Sequence, residues 1–201
     1  MENLEITVKV ETSLNELLNY LTSNNFRFHQ SFRCIDIFMI KKDDVSNFNS
    51  YEDFNKALSI GVTAPFYLTK LFLPYFNDNA SIINISSSRD RMSQPQTESY
   101  TASKGAISAL THALAISLSH KVRVNSISPG WINTSNTPIN DELDHLQHPS
   151  GRVGNPEDVS NLVLFLCSEK ASFINGENIC IDGGMTKQMI YHNDFKWKLE
   201  K

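Results

Sequence analysis

The chain has 201 residues and eight glycines, and none of these glycines precedes Gly61. Loops that hold nucleotide phosphates are rich in glycine, because backbone amides at a helix N-terminus must approach the phosphate closely. The segment from Met1 to Ile60 therefore contains no loop of this kind. A nucleotide-binding function has to be argued from the rest of the chain.

The chain also lacks an excess of positive charge. Lysine and arginine together number 18 against 22 aspartate and glutamate residues, which gives a formal net charge of −4. The basic residues form no cluster along the sequence. Binding to nucleic acid or to an anionic membrane surface depends on such a cluster, so the sequence predicts neither a nucleic-acid partner nor a membrane partner.

Cysteine is scarce, and no segment is typical of a targeting signal. Cys34, Cys167 and Cys180 are odd in number and lie in apolar runs, which favours reduced thiols over disulfides. No metal site is predicted, because the cysteines lack ligand spacing and His145 and His148 have no third ligand in register. The N-terminus is acidic and no apolar run approaches the length of a membrane span, so a soluble cytoplasmic protein is expected.

Apolar patterns alternate between strand and helix along the chain, which predicts an α/β domain with a parallel sheet. Strands are predicted at about 4–10, 35–40, 81–86, 122–128 and 178–181. Helices are predicted after Ser13 and at about 51–76, 100–120 and 156–166. Pro65 should bend or break the second helix, because proline has no amide hydrogen. The polar segment from about Asn133 to Pro149 is predicted to be irregular.

Tyr100 and Lys104 are four residues apart and share one face of the predicted helix. A nearby ammonium favours the phenolate form of a tyrosine and lowers its pKa, so Lys104 can prepare Tyr100 for proton transfer. Ser87 follows a buried strand, where parallel sheets bind ligands, and its hydroxyl can bind a substrate oxygen. On these residues alone, an ordinary helix with a solvated lysine is the alternative.

Five segments, in this order and spacing, resemble the short-chain dehydrogenase/reductase family. They are SIINISS at Ser81–Ser87, YTASKGA at Tyr100–Ala106, VRVNSISPG at Val122–Gly130, RVGNPED at Arg152–Asp158 and INGENICIDGG at Ile174–Gly184. The similarity covers roughly residues 35 to 186. It implies a doubly wound, Rossmann-like parallel sheet and an oxidoreductase that uses NAD or NADP on a small-molecule alcohol or carbonyl substrate.

The resemblance also assigns roles to residues. Tyr100 matches the general acid and base, Lys104 the residue that lowers the tyrosine pKa and holds the nicotinamide ribose, and Ser87 the hydroxyl that polarises the substrate. The resemblance thus assigns Tyr100 and Lys104 both to catalysis and to cofactor binding. The loop beside the nicotinamide is assigned to four further residues: Pro129, Gly130, Ile132 and Thr134.

Three features depart from the family pattern. The first strand, the Gly-rich turn and the second strand have no counterpart, and residues 1–34 resemble the third strand and its helix instead. Ile40-Lys41-Lys42-Asp43 replaces the expected Asn-Asn-Ala-Gly loop, and its lysines either meet cofactor phosphates or face water. Gly61 takes the place of an asparagine linked to a proton relay, so relay through this position is not expected.

These departures lead to a single domain over residues 1–201 whose sheet is incomplete at the N-terminal side. The strand at 4–10 is expected to pair with the exposed edge of the strand at 35–40, in a sheet of six strands or fewer. The alternatives are that this edge meets another subunit or that the sequence belongs to a longer reading frame. A catalytically impaired relative that serves as a subunit is the alternative to an active enzyme. A homo-oligomer is implied by the resemblance, because the helices at 51–76 and 100–120 commonly pair between subunits in this family.

Overall fold

Four strands form one parallel sheet in the part of the chain that the structure describes. The computed structural model describes residues 34–37, 50–135, 137–139 and 141–194, with the backbone alone for the first range. The strands lie side by side in chain order: β1 (Cys34–Ile37), β2 (Ala80–Ile85), β3 (Val122–Pro129) and β4 (Asn178–Ile181). All three pairings are parallel. The parallel α/β fold is therefore confirmed, whereas the predicted strand at 4–10, the helix after Ser13 and the lysine loop at 40–43 lie outside the described residues.

Helices connect these strands. Their bounds are α1 (Tyr51–Leu58), α2 (Ala64–Phe72), α3 (Glu98–Ser117), α4 (Glu142–Leu146) and α5 (Pro156–Cys167). Short 3-10 turns occur at Leu73–Tyr75, Ser88–Asp90, Glu169–Ala171 and Met185–Lys187. The helices predicted at 51–76, 100–120 and 156–166 and the strands predicted at 81–86, 122–128 and 178–181 agree with these bounds to within a few residues. Helix α4 was not predicted.

A π turn joins α1 to α2 over Ser59–Thr63. Its hydrogen bonds span five residues, as in the bond from the Ala64 amide to the Ser59 carbonyl. Pro65 follows directly, and its missing amide hydrogen would leave a regular α-helical carbonyl without a donor. The expected interruption at Pro65 therefore takes the form of a π turn, through which the helix continues from Tyr51 to Tyr75.

This long helix contradicts one expectation from the sequence. It has 25 residues and a mean hydropathy of 1.2 in its most apolar window, which is enough by length and composition to cross a membrane. The π turn is the reason, because it joins two apolar segments that Pro65 was expected to separate. One such helix is weak evidence for a membrane span, and here α1 and the π turn pack against α3.

Helices cover both faces of the sheet. On one face, α3 lies against β2, where the Asn84 amide donates a hydrogen bond to Thr111 at 3.0 Å. On the other face, Leu166 of α5 packs with the buried side chains of Ile83 and Ile85. Successive residues of a strand point to opposite faces, so α3 and α5 lie on opposite sides of the sheet. The doubly wound, Rossmann-like class is confirmed by this three-layer arrangement.

The two crossovers that follow β2 differ in handedness. The connections β2–α3–β3 and β3–α5–β4 move in the same direction across the sheet, yet their helices lie on opposite faces. One of the two must therefore be left-handed, although about 98% of such connections are right-handed. The connection from β3 to α5 is the long one, and α5 lies on the face opposite α3.

Two further expectations are corrected by the structure. The segment predicted to be irregular contains α4, whose N-cap Asp141 accepts a hydrogen bond from the Leu143 amide. This helix has five residues, too few for an apolar repeat to show in the sequence. Cys167 is disulfide-bonded, so the expectation of reduced thiols is wrong for it, while Cys180 is free. Spacing along the chain does not show which thiols the fold brings together.

Candidate active site

Ser87 lies just beyond the carboxyl end of β2. The strand ends at Ile85, and a 3-10 turn begins at Ser88, so Ser87 is the cap of that turn. Its hydroxyl oxygen accepts a hydrogen bond from the Arg89 amide at 3.2 Å, and the residue is 9% exposed. The side chain is thus held at the edge of the sheet where parallel strands place ligands.

Helix α3 supplies the other two predicted catalytic residues. It begins at Glu98, so Tyr100 lies in its first turn and Lys104 in the next. The Lys104 Nζ lies 5.6 Å from the centroid of the Tyr100 ring, within the range of a cation–π contact. The prediction that the two side chains share one helix face is confirmed.

Two hydrogen bonds fix α3 to the end of β2. The Lys104 Nζ donates to the Ile85 carbonyl at 2.9 Å, and the Ser86 hydroxyl donates to the Lys104 carbonyl at 2.8 Å. Ser87 is the next residue in the chain after Ile85 and Ser86. The structure therefore brings Ser87, Tyr100 and Lys104 to one edge of the sheet.

Burial changes the acid–base properties of Lys104. The residue is 3% exposed, and removal of its ammonium from water lowers its pKa from 10.5 to about 8. An ammonium has three N–H donors, and among the described residues its hydrogen-bond acceptor is the Ile85 carbonyl. Two donors are left for a bound ligand, which suits neighbouring hydroxyl groups.

The four residues predicted to line the nicotinamide lie in and after the end of β3. Pro129 ends the strand, and the Gly130 amide donates to the Ile181 carbonyl of β4 at 3.0 Å. A Cβ at Gly130 would lie 2.6 Å from the Asp182 Cβ, so close packing of the protein itself requires glycine here. Ile132 forms an isolated parallel bridge with Gly154, and Thr134 is exposed.

A cavity of about 180 Å³ lies between the loop after β3, the start of α5 and the end of β4. It is lined by Trp131, Ile132, Ser150, Arg152, Gly154, Asp158, Ile181, Asp182 and Gly183. Of the predicted site residues only Ile132 contributes, and Ser87, Tyr100 and Lys104 lie outside the cavity. We place the candidate active site at these three residues, because the reactive groups are there.

The two histidines that were discounted as metal ligands have structural partners. His145 Nε2 lies 3.1 Å from the Ile139 carbonyl, and its Nδ1 accepts a hydrogen bond from the Val153 amide. His148 Nδ1 lies 2.9 Å from the Asp144 carbonyl. These contacts hold α4 to the segment around it. Within the described ranges, no three histidine, cysteine, aspartate or glutamate side chains form a group that could hold a metal.

Sequence reasoning missed one charged residue beside the site. Asp90 closes the 3-10 turn that follows Ser87, and its side chain is 4% exposed. In the sequence it lies between Arg89 and Arg91, a pattern typical of a solvated surface turn. No signal in a single sequence distinguishes this buried carboxylate from an exposed one.

Comparison with known proteins shows what the chain is similar to. The family model described as enoyl-(acyl carrier protein) reductase matches residues 4–186. An uncharacterized oxidoreductase of Thermotoga maritima is 45% identical over 152 residues, which cover 70% of this chain and 59% of the relative. A 3-oxoacyl-(acyl-carrier-protein) reductase of the same organism is 33% identical over 144 residues, which cover 67% of this chain and 57% of the relative. The chain thus spans less than two thirds of the length of these curated relatives.

The chain is also similar to solved structures of dehydrogenases and related enzymes. An apo SCOR enzyme from Clostridium thermocellum superposes with a TM-score of 0.81 at 39% identity, over 92% of this chain and 74% of that one. A 4-hydroxyisoleucine dehydrogenase complexed with NADH superposes with a TM-score of 0.69 at 27% identity, over 87% of this chain and 76% of that one. The four-stranded sheet and its helices therefore correspond to most of a known domain.

Proposed function

The chain belongs to the short-chain dehydrogenase/reductase family, and on that premise we propose that it interconverts an alcohol and a carbonyl compound with NAD or NADP as cofactor. Ser87, Tyr100 and Lys104 would carry the proton chemistry. The substrate is a small molecule, and the proposed site is at the carboxyl edge of the sheet.

The observation that carries this proposal is the environment of Lys104. A buried ammonium with a pKa of about 8 lies against the ring of Tyr100, one helical turn away. Burial of a charged lysine is unfavourable, so a fold retains it only where its charge or its donors are used. A solvated lysine on an ordinary helix, the alternative left open by the sequence, does not fit 3% exposure.

The three residues can perform the proton transfer that accompanies reduction of a carbonyl. The Tyr100 hydroxyl donates its proton to the carbonyl oxygen, and the Ser87 hydroxyl donates a hydrogen bond to the same oxygen. The positive charge of Lys104 stabilises the phenolate that remains on Tyr100. The nicotinamide cofactor, when bound, supplies the hydride to the carbonyl carbon or accepts it in the reverse reaction.

The donor set fits the nicotinamide half of such a cofactor. The two N–H groups of Lys104 that Ile85 does not use suit the ribose hydroxyls. By family resemblance the loop Pro129–Thr134 would lie beside the nicotinamide ring. The relative of known structure that carries NADH is consistent with this choice of cofactor.

Cofactor binding and turnover test the proposal together. We expect the purified chain to bind NADH or NADPH in a fluorescence titration and to oxidise one of them with a panel of small carbonyl compounds. Replacement Tyr100→Phe removes the proton donor but keeps the ring, and should lower kcat/KM by about 10²- to 10⁴-fold.

Tyr191→Phe is the matched control, because Tyr191 is 67% exposed and lies outside the proposed site. It should leave kcat/KM unchanged. If the chain binds neither NADH nor NADPH at millimolar concentration, the proposed enzyme activity is refuted and the catalytically impaired subunit is favoured. Equal activity of Tyr100→Phe and the wild type would refute the role of Tyr100.

A further inference from the structure

The carboxylate of Asp90 joins three elements of the fold. Its Oδ2 accepts hydrogen bonds from the Ser108 hydroxyl of α3 at 2.9 Å and from the Ser128 hydroxyl of β3 at 3.0 Å. The side-chain amide of Asn178, the first residue of β4, donates to the same oxygen. Because the Asp90 side chain is 4% exposed, these donors replace the water that a carboxylate would otherwise bind.

Arg91 completes the set of donors. Its Nε donates to Oδ1 of Asp90 at 2.7 Å and its Nη2 to Oδ2 at 3.0 Å, in the bidentate geometry that suits a carboxylate. Burial alone would raise the pKa of Asp90, but the hydrogen bonds from Arg91 and the three other donors outweigh it and lower the pKa. Asp90 is therefore ionised at neutral pH, and each oxygen has a partner.

Asp90 also belongs to the turn that carries Ser87. Its amide donates to the Ser87 carbonyl at 2.9 Å, which closes the 3-10 turn. The carboxylate of the same residue holds this turn to α3, β3 and β4, so the position of the Ser87 hydroxyl depends on Asp90 through one short loop. A single neutral amide in place of the carboxylate could not accept this many donors, because it has one acceptor oxygen.

A second set of contacts connects Asp90 to the turn of α3 that holds Lys104. Ser108, which donates to Asp90, lies 3.4 Å from the Lys104 carbonyl. The Ser86 hydroxyl lies 3.5 Å from the Ser108 hydroxyl and donates to that same carbonyl. Through the Ser108 hydroxyl, the buried carboxylate is thus close to the backbone of Lys104, and it is one turn away from Ser87.

We propose that Asp90 is a positioning residue of the active site, which sets the Ser87 hydroxyl relative to Tyr100 and Lys104. Asp90 does not contact the reacting atoms in this role and acts through the turn that it closes. The inference rests on the proposed function for its catalytic consequence. The effect of Asp90 on the order of the turn can be measured without enzyme activity.

The test replaces the carboxylate with a neutral group of the same shape. In Asp90→Asn one oxygen becomes an NH₂ group that faces donors, so the turn should lose part of its attachment. We expect kcat to fall by about 10- to 100-fold with KM for substrate within about twofold, as displacements of about 1 Å in a catalytic group produce. Asp53→Asn is the control, because Asp53 is exposed and also accepts a serine hydroxyl, that of Ser50 at 3.0 Å.

A double-mutant cycle separates positioning from general stability. Ser87→Ala should lower kcat by about 100-fold in the wild type, the effect of one lost oxyanion donor, but by about 10-fold or less when Asp90 is already asparagine. If Asp90 contributes to stability alone, the fold-changes in kcat of the two substitutions should multiply in the folded double variant. That result would overturn the proposal. Ser128→Ala is a smaller change, because it removes one of the donors to Asp90. It should show the same non-additivity with Ser87→Ala and replaces Asp90→Asn in the cycle if that variant does not fold.

Amide hydrogen exchange gives the readout that does not need turnover. Exchange of the peptide that contains Ser86–Asp90 should be faster in Asp90→Asn or Ser128→Ala than in the wild type, and unchanged in Asp53→Asn. Unchanged exchange in this peptide would refute the positioning role even in an active enzyme. Faster exchange in Asp90→Asn, combined with a wild type that shows no oxidoreductase activity, would retain the role of Asp90 in the turn and refute the proposed function instead.

Discussion

At the scale of single residues, the buried ammonium of Lys104 destabilises the folded chain. Each unit of pKa shift corresponds to about 1.4 kcal/mol, so a fall from 10.5 to about 8 destabilises the folded chain by about 3 kcal/mol at neutral pH. The hydrogen bond to the Ile85 carbonyl offsets about 1 kcal/mol of this. Sites that use a charged group in this way commonly exchange stability for activity.

Lys104→Met should therefore stabilise the protein at neutral pH. The unfolded chain binds more protons than the folded chain between pH 8 and 10.5, so wild-type stability rises with pH across this window. We expect the variant to exceed the wild type in free energy of unfolding by about 2 kcal/mol at pH 7 and to lose this advantage by pH 10.5. Urea unfolding at a series of pH values measures the difference.

The control for this prediction is Lys121→Met. Lys121 also donates to a backbone carbonyl, that of Leu73 at 3.1 Å, but it is only partly buried. It reports the effect of removing a lysine hydrogen bond without the burial of Lys104. A Lys104→Met variant that is less stable than the wild type at pH 7 would contradict the prediction.

At the scale of elements, the start of α5 shows how a helix end is fixed beside the loop that carries Ile132. The Asn155 side chain accepts from the Asp158 amide at 3.1 Å, and the Asp158 carboxylate accepts from the Asn155 amide at 2.8 Å, which is a capping box. Arg152 adds a bidentate ion pair to Asp158 at 2.7 and 2.6 Å. Hydrogen bonds from Arg152 and Asn155 lower the pKa of Asp158 to about 2.

Asp158→Asn should lower the free energy of unfolding by about 1 kcal/mol at pH 7, since a partly exposed carboxylate realises less than its full shift. The pKa of Asp158 is lower in the folded chain than its ordinary 3.8, so the stabilisation is present above pH 3.8 and is lost as pH falls towards 2. Urea unfolding between pH 7 and 2.5 should show the difference shrinking. Glu157→Gln, an exposed change in the same turn, should show no comparable loss, and a pH-independent difference for Asp158→Asn would count against this account.

At the scale of the whole molecule, apolar side chains are exposed on two helices. The long helix exposes Tyr51, Phe66 and Tyr75 by 78, 47 and 66%, and α3 exposes Ile116 by 76%. These are the two helices whose pairing between subunits the family resemblance implies. An apolar surface of this kind is typical of contacts between copies of a chain.

We expect the protein to form a dimer or larger oligomer in size-exclusion chromatography with light scattering. Phe66→Glu would place a charge in the predicted interface and should shift the protein towards the mass of one chain. Phe173→Glu is the control, because Phe173 is fully exposed in a loop after the Glu169–Ala171 turn and should leave the mass unchanged. A wild-type monomer at micromolar concentration would show that these helices do not pair.

Most of the described fold follows from local patterns in the sequence, and the rest depends on contacts between distant residues. The strands around Ile83 and Ile127 are readable because both are short segments rich in isoleucine and valine that end at turns. The spacing of Tyr100 and Lys104 predicts their shared face for the same local reason. The burial of Asp90 was not readable, because its donors come from α3, β3 and β4, which no local pattern relates to it.

The long connection from β3 to α5 begins at the edge of the sheet that holds Ser87. The chain leaves β3 at the carboxyl edge of the sheet and then reaches α5 on the face opposite α3. That passage is residues 130–155, the same segment that holds Gly130, Ile132 and the short helix α4. Because β2 and β3 are parallel neighbours, their carboxyl ends lie at the same edge of the sheet. The segment that begins at Gly130 therefore leaves the sheet next to the turn that holds Ser87.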